Sequence, residues 1–230
     1  MSGQGYCLEL GTEEYSSSFR LQERLNEARR MGIIPDTVIF LEHQPCFTVG
    51  RKGGFEHILA GEDLLEQQGI AVYETDRGGD VTYHGPGQLV CYPIIDLNGY
   101  GCDVHAYARR LEKVIIMTLK HFGITAGRKP GYPGVWVGSA KIAAEGIGVR
   151  HWVTMHGVAL NVCPQMHHFS LIIPCGIANF GVTSMEQLLK HPVDMGAVRR
   201  EMRRQFSEVF DLLLEDISLE ELRRMADEDG

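Results

Sequence analysis

Residues 134–137, 142–149 and 152–162 read as three strands that follow one another with only a few residues between them. Breaks this short cannot hold the crossover helix that parallel neighbours require, so the three must pair antiparallel. That stretch sets the centre of the fold. Upstream of it, Asp103 is placed to cap the most periodic helix in the chain. Val104, Tyr107, Leu111, Ile115, Leu119 and Phe122 recur every three or four residues, and Gly123 stops the pattern. A helix from Ser16, capped by serines and closed by Gly32, precedes a buried strand over 37–41. A short helix over 61–68 ends at Gly69, strands follow over 70–74 and 88–97, and residues 186–189, 198–214 and 219–226 read as helical. The sum is an α+β fold in one domain, residues 1–230: a mixed, mainly antiparallel sheet with helices packed against it.

Composition narrows the function. Of 230 residues, 44% are hydrophobic and 23% charged, which is enough to build a sizeable core. The net charge of −8 argues against a nucleic-acid partner, which would call for a basic stripe. Residues 1–10 lack a basic start and a long apolar run, and nothing approaches the roughly 18 apolar residues of a membrane span, so a cytoplasmic protein with no membrane partner is expected. The six cysteines form no C-x-x-C pair and read as individual thiols. His167 and His168 point in different directions and nothing completes a ligand set, so no metal is expected.

Three segments break the structural pattern. In residues 77–88, Gly78, Gly79, Gly85, Gly87 and Pro86 specify a backbone that side chains would forbid and allow close approach to a ligand. A tight loop between strands would need much the same residues. The segment is neither a Walker loop nor a G-x-G-x-x-G turn, so it gives no support for phosphate cradling. Lys141 opens an apolar run of small residues, where an amine can accept a proton or stabilise a thiolate; the same residue at a strand start also suits a plain solvated charge. Cys175 lies between Pro174 and Gly176, which present it on a bend, whereas Cys91 falls inside a strand-like run as a core residue would.

Taken together, these blocks resemble the octanoyl-[acyl carrier protein]:protein N-octanoyltransferases, also called lipoyl(octanoyl) transferases. The likeness runs through Arg77 to Gln88 with Tyr92-Pro93-Ile94, Lys141-Ile142-Ala143-Ala144 with Gly146, His156-Gly157 with Ala159-Leu160-Asn161-Val162, and Pro174-Cys175-Gly176 with Val182-Thr183-Ser184. Glu42-His43-Gln44-Pro45 also fits. The resemblance implies the fold of lipoate and biotin protein ligases and a two-step transfer. Cys175 takes the octanoyl group from acyl carrier protein as a thioester, Lys141 handles its proton, and a lysine of a lipoyl domain then takes the acyl group as an amide. It further implies that Arg77, Gly78, Gly79, Asp80, Val81, Thr82, Tyr83 and His84 line the acyl pocket, with Ala144, Glu145, Gly146, Gly157, Val158 and Ala159 as its other walls, and that no cofactor is used. Three positions depart from the family pattern: Met155 where an aromatic is usual, Glu145 where an apolar residue is common, and Gly148 where a basic one is frequent.

The implied partners are octanoyl-acyl carrier protein as donor, and the apo lipoyl domains of 2-oxoacid dehydrogenase complexes and the glycine cleavage H protein as acceptors. Both are expected to be acidic, which calls for a local basic docking patch on this acidic chain; Arg29, Arg30, Arg51, Lys52, Arg109, Arg110 and Lys113 are the candidates. Rival readings are an ATP-dependent lipoate or biotin ligase, against which the glycine block lacks a serine–triple-glycine sequence, an octanoyl amidotransferase working between lipoyl proteins, and a catalytically idle binding protein. The pairing of Lys141 with Cys175 speaks against the last.

Overall fold

A computed structural model of the protein describes residues 3–173 and 180–228. The chain order is β1 (Gly3–Glu13), α1 (Tyr15–Arg30), β2 (Asp36–His43), β3 (Cys46–Val49), α2 (Glu62–Gln68), β4 (Ala71–Glu74), β5 (Val81–His84) and β6 (Gln88–Ile94). It continues with α3 (Val104–His121), β7 (Gly127–Lys129), β8 (Tyr132–Val137), β9 (Ala140–Arg150), β10 (Val153–Asn161), β11 (Gly181–Val182), α4 (Met185–Leu189), α5 (Met195–Phe210), β12 (Leu212–Asp216) and α6 (Leu219–Glu228).

The large sheet runs β12-β1-β2-β6-β10-β9-β8-β7, with β11 beside β9. From β2 to β7 every neighbour pair is antiparallel, while β1 lies parallel to both β2 and β12. Both faces are covered, and the strands are therefore apolar at successive positions. On β2, Val38 and Phe40 pack under α3 and α5 with Leu111, Ile115, Met202 and Phe206. Ile39 and Leu41 face the other way, into the layer built by Leu21 and Leu25 of α1 and Leu222 of α6. A second, three-stranded sheet, β4-β3-β5, buries Phe47, Val49, Val81 and Tyr83 against Leu65, Ile70 and Ile172.

The expected antiparallel trio is present as β8, β9 and β10. Asp103 caps α3 as the spacing predicts, accepting from the amides of His105 (2.8 Å) and Ala106 (3.0 Å). Two expectations need correction. The first helix is not capped by serines: it starts at Tyr15 with Glu14 before it, and Ser18 is buried inside, its hydroxyl donating to the Tyr15 carbonyl. Residues 198–214 are not one helix. Asp211 turns left-handed at φ 52°, and Leu212 and Leu214 alternate with exposed Leu213 along β12. A run of leucines fits either period, and the parallel pairing of Leu212 with Gly3 decides it. None of the described helices is long and apolar enough to cross a membrane.

Candidate active site

The two sheets are joined where the glycine block crosses from one to the other. The Gly78 amide donates to the Ile147 carbonyl of β9 (3.0 Å), and the Arg51 and Lys52 amides donate back to the carbonyls of Arg77 and Gly79 (both 3.0 Å). Between the sheets lies a pocket with an empty volume of about 470 Å³, its open mouth included. Its floor comes from β9 and β10. Ala144 pairs with Ala159 and Gly146 with Gly157, so two cross-strand pairs of minimal side chains share one face. Larger residues there would fill the space. At Gly157 a Cβ would stand 2.3 Å from the Cys91 carbonyl oxygen, so β10 can lie this close to β6 only without one.

Arg77, Gly79, Asp80, Thr82 and His84 form the wall on the small-sheet side. Arg77 is buried and acts on the backbone. Its guanidinium donates to the Thr48 carbonyl (2.6 Å) and hydroxyl (2.8 Å), to the Asp80 carbonyl (2.6 Å) and to the Gly78 carbonyl (3.0 Å), which locks the glycine block against β3. Asp80 is held in turn by His57 (2.8 Å) and by the Val81 amide (2.6 Å), and its carboxylate raises the pKa of His57. His84 donates through Nδ1 to Gln88 Oε1 (2.6 Å). From Gln88 the chain of bonds runs on to Asn161 (2.9 Å) and then to the Thr183 carbonyl (3.0 Å). Burial holds the pKa of His84 well below the ordinary histidine value, so it stays neutral.

Aromatic and imidazole rings close the third side. Tyr15 packs on His43 and His84, and Tyr92 donates its hydroxyl to His43 Nε2 (2.7 Å), because His43 Nδ1 is spent on the Glu13 carbonyl (3.1 Å). Burial lowers the His43 pKa to about 4. His156, 2% exposed, sits at φ 57° with its ring against Asp76 Oδ1 (2.8 Å) and stacked on Phe19. Glu145 is a half-buried acid on the opposite face of β9 from Ala144, its Oε2 shut off from solvent; desolvation, and secondarily the Glu112 carboxylate, raise its pKa from 4.5 to about 8.

Lys141 lies in β9 near its start, half-buried, with its Nζ 5.0 Å from the centre of the Trp136 ring. Its carbonyl accepts from the Thr183 amide (3.0 Å), next to the β11 residue Val182 that pairs with it. Phe180 packs edge-on against the same Trp136 ring (5.4 Å), and the Ile173 amide donates to the His57 carbonyl (2.8 Å). Cys175 lies outside the described residues. The residues on either side of that segment are thus anchored to His57, the partner of pocket residue Asp80, and to the ring beside Lys141.

Of the sequence-predicted wall residues, Gly78, Val81 and Tyr83 are not among those that line the pocket. Val81 and Tyr83 alternate with Thr82 and His84 on β5 and point into the small-sheet core, where the Tyr83 hydroxyl pairs with His168 Nδ1 (2.8 Å). Gly78 serves the sheet junction. Tyr15, Tyr92 and His156 line the pocket without having been singled out as site residues, although Tyr92 and His156 lie in the conspicuous blocks. The basic candidates are dispersed. Arg29 pairs with Asp36 (2.7 Å), Arg30 with Glu27, and Arg110 lies over the Tyr100 and Phe210 rings, while Arg51 and Lys52 stand exposed beside the glycine block. Among the described residues no group of three or more His, Cys, Asp or Glu is arranged to hold a metal ion.

Residues 14–207 match the lipoyl protein ligase A/B catalytic domain. The chain belongs to that family. Within it, the chain is 47% identical over 214 residues to an octanoyltransferase of Caldicellulosiruptor saccharolyticus, covering 92% of this chain and 91% of the relative. It is 48% identical to an octanoyltransferase of Solibacter usitatus, covering 89% and 93%. The bipartite lipoate protein ligase of Thermoplasma acidophilum superposes with a TM-score of 0.75 at 19% identity, over 98% of this chain and 91% of that one, which shows the shared ligase-type fold.

Proposed function

We propose that this member of the family is an acyltransferase of protein lipoylation, moving an octanoyl group from acyl carrier protein to a lysine of a lipoyl domain in the cytoplasm. The observation that carries the reading is the pocket floored by Ala144, Ala159, Gly146 and Gly157, narrow and apolar enough for an alkyl chain, in a chain close to half identical to octanoyltransferases. The Cys175 thiolate attacks the donor thioester; its sulfur–carbon bond forms as the donor's breaks, and the carrier leaves as a thiolate that takes a proton from the Lys141 ammonium. A neutral amine of the acceptor lysine then attacks the acyl-cysteine. The nitrogen–carbon bond forms, the Cys175 sulfur leaves with the electron pair, and Lys141 receives the surplus proton from nitrogen. Thioester exchange is close to energy-neutral and amide formation runs downhill, so the scheme needs no nucleotide.

Arg77 supports this reading as a positioning residue that holds the pocket wall, and exposed Arg51 and Lys52 are the docking candidates nearest the pocket for acidic partners. Incubation of the purified protein with octanoyl-acyl carrier protein should add one octanoyl group, mapped to Cys175, that disappears on addition of apo lipoyl domain. Undiminished transfer by Cys175→Ala would overturn the scheme, and transfer that depends on ATP would return the protein to the ligase reading.

A further inference from the structure

The floor of the pocket has two ends. Lys141 lies toward one, and a single clamped imidazole occupies the other. His156 faces Ile147 across the β9–β10 ladder, six residues beyond Lys141, which at about 3.3 Å per residue separates the two by roughly 20 Å along the strand. The Ala144–Ala159 and Gly146–Gly157 pairs lie between them.

The His156 ring is held through Nε2 and its face, while its Nδ1 has no hydrogen-bond partner among the described residues. Asp76, held ionised well below the usual carboxylate range chiefly by this bond, accepts from Nε2 (2.8 Å), and its other oxygen accepts from Arg150 (2.7 Å). Phe19 stacks on the ring with centroids 5.6 Å apart. The left-handed backbone at φ 57° turns the residue's amide toward Gln22 Oε1 on α1 (2.7 Å). Gly148 leaves the ring its place: a Cβ there would stand 3.0 Å from His156 Cδ2. Displacing the imidazole therefore breaks a charge-assisted hydrogen bond and a ring stack together.

We propose that His156, backed by Phe19 and Gly148, is the end stop of the acyl pocket and sets the longest straight-chain acyl thioester the enzyme transfers. The inference rests on the pocket being the acyl site. It is tested by kcat/KM for a series of hexanoyl-, octanoyl-, decanoyl- and dodecanoyl-acyl carrier protein, with intact-mass detection of the acylated lipoyl domain. His156→Ala should raise the decanoyl-to-octanoyl ratio about tenfold or more, the scale on which one or two methylenes count in a closed pocket. Phe19→Leu, which loosens the same wall from α1 and keeps every hydrogen bond of His156, should shift the ratio the same way if His156→Ala fails to fold. An unchanged ratio in a folded variant of either kind overturns the end stop. Ala159→Phe separates the two layers of the claim. Loss of transfer for every chain length keeps the pocket as the acyl site, whereas octanoyl transfer at the wild-type rate overturns that reading and the end stop with it.

Discussion

Arg77 is the residue for which sequence and structure suggest the most different experiments. As a conspicuous cation at a glycine block it reads as a substrate ligand, yet its guanidinium donates to the carbonyls of Thr48, Asp80 and Gly78 and to the Thr48 hydroxyl. Replacement by leucine keeps most of the apolar stem and removes every donor. The Thr48 and Asp80 carbonyl bonds are buried, and losing a hydrogen bond to a charged donor costs about 1.5–3 kcal/mol each, the Asp80 carbonyl toward the lower end because it keeps the Gly50 amide (3.3 Å) as a second donor. The Gly78 carbonyl bond is only partly buried and contributes less. The expected loss is thus roughly 3–5 kcal/mol, a large share of the 5–15 kcal/mol that holds a typical domain together. At about 2–4 °C per kcal/mol for a chain of this size, the midpoint of thermal unfolding should fall by some 6–20 °C. Urea unfolding of Arg77→Leu gives the free energy directly, and Arg77→Lys should recover only part of it, because one ammonium cannot span three carbonyls. If Arg77→Leu unfolded within about 0.5 kcal/mol of the wild type, the scale of an ordinary surface change, while losing acyl transfer, Arg77 would be a substrate contact and the clamp would be refuted.

Three further outcomes are expected. Gly157→Ala places a Cβ 2.3 Å from the Cys91 carbonyl oxygen and 2.8 Å from Pro93 Cδ, forcing β10 off β6, and should lower stability in urea by about 1–3 kcal/mol or more. Glu145→Gln tests the half-buried acid through pH. A folded-state pKa raised from 4.5 to about 8 means that the native state holds the extra proton, so this group's contribution is present below pH 4.5 and is lost as pH rises through about 8. The variant should therefore gain stability over the wild type at pH 8 and gain little at pH 5, and an equal difference at both would refute the shift. Asp103→Ala removes the cap of α3 and should cost about 1 kcal/mol by the same unfolding measurement, with acyl transfer unchanged.

The parts legible in the sequence are those whose causes are local. Asp103, the heptad-like spacing to Leu119 and the stop at Gly123 specify α3 within one stretch of chain, and the short breaks after Val137 and Arg150 force the antiparallel order of β8, β9 and β10. The candidate site stood out as conspicuous chemistry: a dense glycine cluster, a lysine among small residues and a cysteine between proline and glycine. Family resemblance joined those pieces, and physical reasoning on each alone left a structural reading open.

What only the tertiary structure decided is whatever depends on partners far away in the chain. Leu212 to Leu214 became a strand because β1, some two hundred residues earlier, offers a parallel edge, and no local period could announce that. Val81 and Tyr83 left the pocket wall because β5 alternates, and a second sheet claims that face for its core. Arg77 is a clamp as well as a pocket-wall residue because its guanidinium lies among the carbonyls of β3 and of its own loop. Tyr15, Tyr92 and His156 entered the site from three separate elements, joined only by packing. Sequence by itself determined α3 and the antiparallel centre and marked out the segments that stand apart; the fold decided which atoms face the pocket, because burial and hydrogen-bond partners come from neighbours that chain order does not reveal.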